Sequence, residues 1–205
     1  MPQLKKCLGI DVGADSIKVA ELSYQKEELK VLNLVSANLE IPREASADEK
    51  NKGISNTLKA LLKENKIGTK EAVFSISGQS VFVRRFPLPK TSEERLKKII
   101  NYEARQQIPF PMDKIYMEYQ IFERAESEDE VDVFLVALKK DILYEFMDMI
   151  NKTGLKPIAV SISTLALYNF FAIESMSEEK FAELYKTKKK KVSLKIKLPD
   201  FKKKL

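Results

Sequence analysis

Histidine and tryptophan are missing from this 205-residue chain, and cysteine occurs once, as Cys7. Without histidine there is no imidazole for a catalytic triad, for most zinc sites or for proton exchange near neutral pH. A single cysteine permits no internal disulfide, which suits a reducing compartment. Cys7 opens an apolar stretch and is expected to be a small core residue, since no base is present to activate it. Long hydrophobic runs are scarce as well. The longest uncharged run, Pro157 to Ile173, is 17 residues and carries Ser161, Ser163, Thr164 and Asn169, so no transmembrane helix is expected. The opening MPQLKKCLGIDVG has no secretory pattern, and a cytoplasmic location follows as the expectation.

Hydrophobic residues make up 44% of the chain, enough for one domain or two small ones with a genuine core. The formal charge of +6 is unevenly placed: residues 186–205 hold ten lysines against one aspartate, while residues 1–185 hold 26 basic against 29 acidic side chains. The basic character therefore belongs to the tail. No specific nucleic-acid binding is expected of the body; the tail reads as disordered and solvated, with non-specific attraction to anionic lipid or nucleic acid as its functional alternative.

Pattern and punctuation predict strands over 7–12, 16–22 and 29–38, a helix over 48–64 and an apolar strand over 72–77. In the second strand Ile17, Val19 and Glu21 share a face. A strand over 80–89 closes on two prolines. A helix over 91–107 follows, with Thr91 and Glu94 at capping-box spacing and Leu96, Ile99, Ile100 and Ala104 inward. Strands over 115–122 and 131–138 flank an acidic turn. A helix over 141–153 turns Leu143, Phe146, Met147 and Ile150 inward and ends at Gly154. One more strand over 157–161, an apolar helix over 163–171 and a polar helix over 178–185 complete the chain. The expected organisation is α/β, with an outer unit of residues 1–79 and 154–185, an inserted α+β unit of 80–153, and the tail.

Two segments are candidates for chemistry. In Gly9-Ile10-Asp11-Val12-Gly13-Ala14-Asp15-Ser16-Ile17-Lys18, a glycine after a buried strand turns the backbone sharply and brings N–H groups toward phosphate oxygens. Ser16 adds a donor, Lys18 a cation, and Asp11 a carboxylate suited to a hydrated magnesium ion. The same residues also suit a plain tight hairpin, with Asp11 and Asp15 satisfying turn amides. Neither a GxxxxGK loop nor a GxGxxG fingerprint is present. In Glu103 to Met112 (EARQQIPFPM), Gln106, Gln107, Ile108 and Phe110 would line an apolar groove with polar edges, fit for a short peptide. The alternative is a helix terminus whose Ile108 and Phe110 cover the core. Arg84 and Arg85 are expected on a solvated strand face, with an anion or nearby acids as their alternative partners. Glu103, Asp113 and Glu118 share no rigid face, so no paired-carboxylate chemistry is expected.

Four blocks in order, GIDVGADSIKVAEL, AVFSISGQSVFVRRFPLP, EARQQIPFPMDKIYMEYQIF and VDVFLVALKKDILYEFMDMINKTGLKPIAVSISTLALYNF, resemble the PilM family of type IV pilus assembly proteins. These are actin-like relatives of the division protein FtsA, and the likeness covers roughly residues 5–173. The resemblance implies an actin-like, ribonuclease-H-like half with an inserted subdomain. It maps the phosphate element onto Asp11, Gly13, Ala14, Asp15, Ser16 and Lys18, with ATP and magnesium as cofactors. It also implies capture, at the cytoplasmic face of the inner membrane, of the N-terminal cytoplasmic peptide of an inner-membrane pilus protein. Family members continue into a second glycine loop and an adenosine-binding element where this chain turns to its lysine tail. A truncated cleft with weak nucleotide binding and little hydrolysis is therefore the expectation, unless another chain completes it. An FtsA-like cytoskeletal role is the remaining alternative.

Overall fold

In the computed structural model, residues 6–25, 28–42, 44–76, 81–124 and 127–174 are described. The polar helix expected over 178–185 and the lysine-rich tail lie outside them. Alternation of apolar and polar residues sets up a meander of β1 (Lys6–Val12), β2 (Ser16–Gln25) and β3 (Glu28–Asn38). Helix α1 (Ala47–Glu64) then leads into β4 (Glu71–Ile76), which pairs parallel with β1. Ser46 and Glu49 form a reciprocal capping box that starts α1 at Ala47, one residue before the expected bound.

A second sheet follows: β5 (Val81–Pro89), α2 (Glu93–Gln107), β6 (Ile115–Glu123) and β7 (Glu130–Lys139), in the order β5-β7-β6. Pro87 and Pro89 sit on the edge strand β5, where a missing N–H leaves no ladder broken on the outer side. Central β7 is buried on both faces: Val131, Val133, Leu135 and Ala137 pack against Leu96, Ile100 and Ala104 of α2. Helix α2 begins at Glu93 behind Ser92, which makes no side-chain cap, so the capping box expected from Thr91 and Glu94 does not form. The acidic Glu93 and Glu94 in its first turn suit the helix dipole without one.

Helix α3 (Lys140–Asn151) returns to the first sheet and β8 (Lys156–Ile162) joins it parallel to β4, giving the order β3-β2-β1-β4-β8. Between them Gly154 takes φ +75°, a conformation open to glycine. Helix α4 (Ser163–Glu174) comes straight off β8 and packs against β8 and β4. Leu165 anchors it to Val136 of β7 and to Val81, Val83 and Phe134 of the smaller sheet.

The larger sheet is covered unequally. Leu8, Ile10, Ile17, Val19, Ala72, Phe74 and Val160 meet Leu58, Leu61 and Leu62 of α1 and Leu143, Met147 and Ile150 of α3. The opposite face carries small and polar side chains on β1 and β2, exposed Leu29, Val31 and Leu34 on β3, and, among the described residues, helix α4 over β4 and β8. Cys7 lies half-buried on that opposite face, because it pairs with Leu22, out of phase with Leu8. Its expected place in the core is therefore corrected.

Candidate functional site

Register brings a polar row across the open face. Lys18 stands opposite Asp11, Asp11 opposite Ser75, and Ser75 opposite Ser161. The last three lie near the carboxyl ends of parallel β1, β4 and β8, the side of a parallel sheet at which ligands most often bind. Ser75 Oγ donates to Asp11 Oδ1 at 2.9 Å, and Lys18 Nζ is 3.8 Å from Asp11 Oδ2. One carboxylate, one ammonium and two hydroxyls therefore meet at the rim of a cavity of about 500 Å³ floored by Gly9, Ala20 and Val73. The side chains of Asp11 and Lys18 remain 43% and 61% exposed, so a ligand reaches both without rearrangement.

The turn between β1 and β2 is closed by Gly13 N–H donating to Ser16 C=O at 2.9 Å, while Asp15 C=O accepts from Leu39 N–H. A Cβ at Gly13 would lie 3.0 Å from that Ser16 oxygen, so the glycine serves the tight turn. Its amide is already used. Ala14 and Asp15 are exposed at the tip, and Ser16 opens β2 opposite Asn38. Of the residues read as a phosphate element, the structure thus gathers Asp11 and Lys18 at the cavity rim and leaves Gly13, Ala14, Asp15 and Ser16 on the hairpin beyond it. Among the described residues no group of three or more Cys, Asp or Glu side chains is placed to hold a metal ion. A magnesium ion that keeps its waters needs one or two carboxylates, and Asp11 fits that lesser demand.

The second segment is built differently. Ile108 is 5% exposed, within the α2 core, and caps the helix by donating its N–H to Ala104 C=O. Gln107 is half-buried and donates to Glu103 Oε2 at 3.1 Å, whereas Gln106 is exposed. Phe110 is half-buried with the Lys139 ammonium 4.3 Å from its ring centroid. Next to it, Lys140 Nζ donates to Asp113 C=O and lies over Tyr116, whose hydroxyl is 3.0 Å from that of Tyr144. Burial, then the hydrogen bond with Tyr144, pushes the Tyr116 phenol up to about 12.

Two sets of polar partners escaped the sequence. Ser75 and Ser161 join Asp11 only through strand register, which no single-strand pattern reveals. Glu21, 4% exposed, accepts from Thr69 Oγ1 and Asn33 Nδ2. Those hydrogen bonds, Thr69's foremost, outweigh burial and hold its carboxyl below the usual range. Arg84 and Arg85 are exposed on their strand as expected, and Arg85 also pairs there with buried Asp132 at 2.6 Å.

A five-stranded β3-β2-β1-β4-β8 sheet with helices on it and a smaller sheet joined through β5 and β7 defines an α/β protein of actin-like architecture. A family model described as type IV pilus assembly protein PilM matches residues 9–190, and the chain belongs to that family. A solved PilM-PilN type IV pilus biogenesis complex overlays it with a TM-score of 0.68 at 22% identity, covering 83% of this chain and 51% of that one. The chain thus spans about half the length of that solved relative. The cytoplasmic domain of EpsL, an inner membrane component of the type II secretion system of Vibrio cholerae, overlays more loosely, with a TM-score of 0.47 at 12% identity over 78% of this chain and 58% of that one. No helix among the described residues is long and apolar enough to cross a membrane.

Proposed function

We propose that this chain is a cytoplasmic type IV pilus assembly factor that binds the N-terminal cytoplasmic peptide of an inner-membrane pilus protein. The observation that carries the reading is the family match over residues 9–190, which includes both candidate segments. The solved relative is itself a complex of PilM with PilN. Within the 103–112 segment the exposed Gln106 and half-buried Gln107 supply amide groups for an extended peptide, and Phe110 supplies an apolar contact beside the Lys139 charge. Ile108 contributes by holding the segment to the core. Fluorescence anisotropy with labelled N-terminal peptides of inner-membrane pilus proteins tests this. Gln106→Ala combined with Phe110→Ala should weaken binding about tenfold or more, the loss of one contact of moderate strength. A well-folded chain that binds none of these peptides overturns the reading.

A second reading, ATP with magnesium at the first segment, is favoured by the Lys18, Asp11, Ser75 and Ser161 row at the strand ends. Asp11 would hold the hydrated ion and Lys18 the phosphate, with Ser75 fixing the carboxylate. Calorimetric titration with Mg-ATP should give a binding heat that Asp11→Ala removes; no heat from the wild-type chain sets this reading aside and leaves the first intact.

A further inference from the structure

We propose, on the strength of the peptide reading above, that Lys139 and Lys140 are positioning residues for peptide capture: together they hold the turn between α2 and β6, and with it Phe110, in the form that receives the peptide. Pro109 and Pro111 supply no N–H to this turn. Its backbone is tied at the ends, by Ile108 N–H to Ala104 C=O and by Lys114 N–H to Pro111 C=O, each at 2.9 Å. Ile108 and Ile115 anchor those ends in the core beneath α2, while Phe110 and Met112 between them are only partly buried. The middle of the turn therefore depends on side chains to fix it.

The two lysines close it from both faces of the smaller sheet. Lys139 pairs with Ile115 in the ladder and Leu138 with Tyr116, so the end of β7 runs directly beside the turn. Strand alternation sends Lys139 to the face of Ile115, where its ammonium stands 4.3 Å from the Phe110 centroid. Lys140, the first residue of α3, turns to the other face: its Nζ donates to Asp113 C=O at 2.6 Å and lies 5.4 Å from the centroid of the Tyr116 ring. A charged donor on a backbone carbonyl is among the stronger hydrogen bonds, and here it stands in for the ladder partner that a two-proline turn lacks. Tyr116 is itself fixed to α3, its hydroxyl 3.0 Å from that of Tyr144 and the two rings edge to face. Helix α3 packs on the larger sheet through Leu143, Met147 and Ile150, so the turn is held against a rigid element. A turn held ready meets the peptide with no ordering cost at the moment of binding. A loosened one is competent only part of the time, and its apparent affinity falls by that fraction.

Stopped-flow fluorescence with labelled N-terminal peptides of inner-membrane pilus proteins, together with hydrogen exchange of the free full chain, tests this. Lys139→Met with Lys140→Met keeps both aliphatic stems, so the fold survives, and removes both charges. It should speed exchange at Phe110, Met112 and Asp113 in the free chain. It should also lower the peptide association rate about fivefold or more with dissociation nearly unchanged, as a smaller competent fraction requires. Phe110→Ala removes a contact and should act on the dissociation rate instead. Lys139→Arg with Lys140→Arg keeps a cation for the ring and a donor for the carbonyl, and should restore both readouts. Lys114→Met removes an exposed charge from the same turn and should leave both within about twofold of wild type. Exchange unchanged by the methionine pair overturns the proposal, as does a loosened turn that binds peptide like wild type. An equal loss from Lys114→Met makes the effect one of general charge and overturns it too. A wild-type chain that binds none of the peptides overturns the peptide reading and this role with it, and is told apart from the other failures by the exchange data, which need no peptide.

Discussion

The two faces of the larger sheet share the same strands and differ in almost everything else. On the α1 and α3 side stand Leu8, Ile10, Ile17, Val19 and Phe74, each at most 2% exposed. On the α4 side stand Gly9, Asp11, Lys18, Ala20, Val73 and Ser75, one residue out of step along the same strands. Strict alternation makes this division possible: one residue's shift moves a side chain from the stability-bearing face to the ligand-accessible one. The covered face holds the fold, and the open face is thereby free to carry polar chemistry at its end and an apolar groove at its middle.

The comparison breaks most sharply at adjacent residues of β4. Phe74→Ala removes a ring that is fully buried and stacks edge-on to Phe146, at a centroid distance of 5.9 Å. It should cost about 3–5 kcal/mol of stability. Val73→Ala, its neighbour on the open face, should cost about 1 kcal/mol because its methyls are already partly hydrated. Urea unfolding of the two variants gives the contrast directly, and equal costs would show that the groove is filled in solution.

Glu21 is the polar intruder on the covered face. With its carboxyl held below the ordinary value, its contribution is present above the unfolded-state pKa of about 4.3 and is lost as pH falls through the lower folded value. Glu21→Gln keeps one acceptor for two donors, Thr69 and Asn33, and should cost about 1–3 kcal/mol at pH 7. That deficit should shrink as pH falls below about 4, where the wild-type carboxyl also takes a proton. Unfolding curves at pH 7 and pH 3 check both the size and the sign.

Which of these features were legible in advance follows from range in sequence. The meander and the shared face of Ile17, Val19 and Glu21 rest on patterns within a few residues, and they appear in the structure as expected; α3 instead ends at Asn151 with Lys152 as its cap, and Gly154 takes the left-handed turn two residues later. Met149, 1% exposed, escaped because it lies off the narrow stripe of α3, which is apolar on more than one side. The partners of Glu21 lie 12 and 48 residues away, and Ser75 lies 64 residues from Asp11. Such meetings depend on how a parallel strand slides against its neighbour, and nothing local encodes that slide. The PilM resemblance supplied the actin-like frame before the register was known, but not this row.

On the open face the effects on stability should be small and those on binding large. Asp11→Ala removes the acceptor of Ser75 and the partner of Lys18, both at a solvent-facing rim, and should change unfolding free energy by no more than about 1 kcal/mol. If the row holds Mg-ATP, the same change abolishes the calorimetric signal. A large loss of stability would instead make Asp11 part of the fold and would erase the distinction between the faces.

The smallest expected effect has the opposite sign. Gly9 lies in the middle of β1, pairs with Ala20 on one side and Val73 on the other, and its missing side chain points over open space. A glycine inside a strand gives up more chain entropy on folding than any residue with a side chain. Gly9→Val should therefore stabilise the isolated chain by about 0.5–1 kcal/mol, as a β-branched residue in a central strand with room above it. Thermal unfolding of the variant beside wild type reads the gain. A variant less stable than wild type would show that the space above Gly9 is taken when the chain folds.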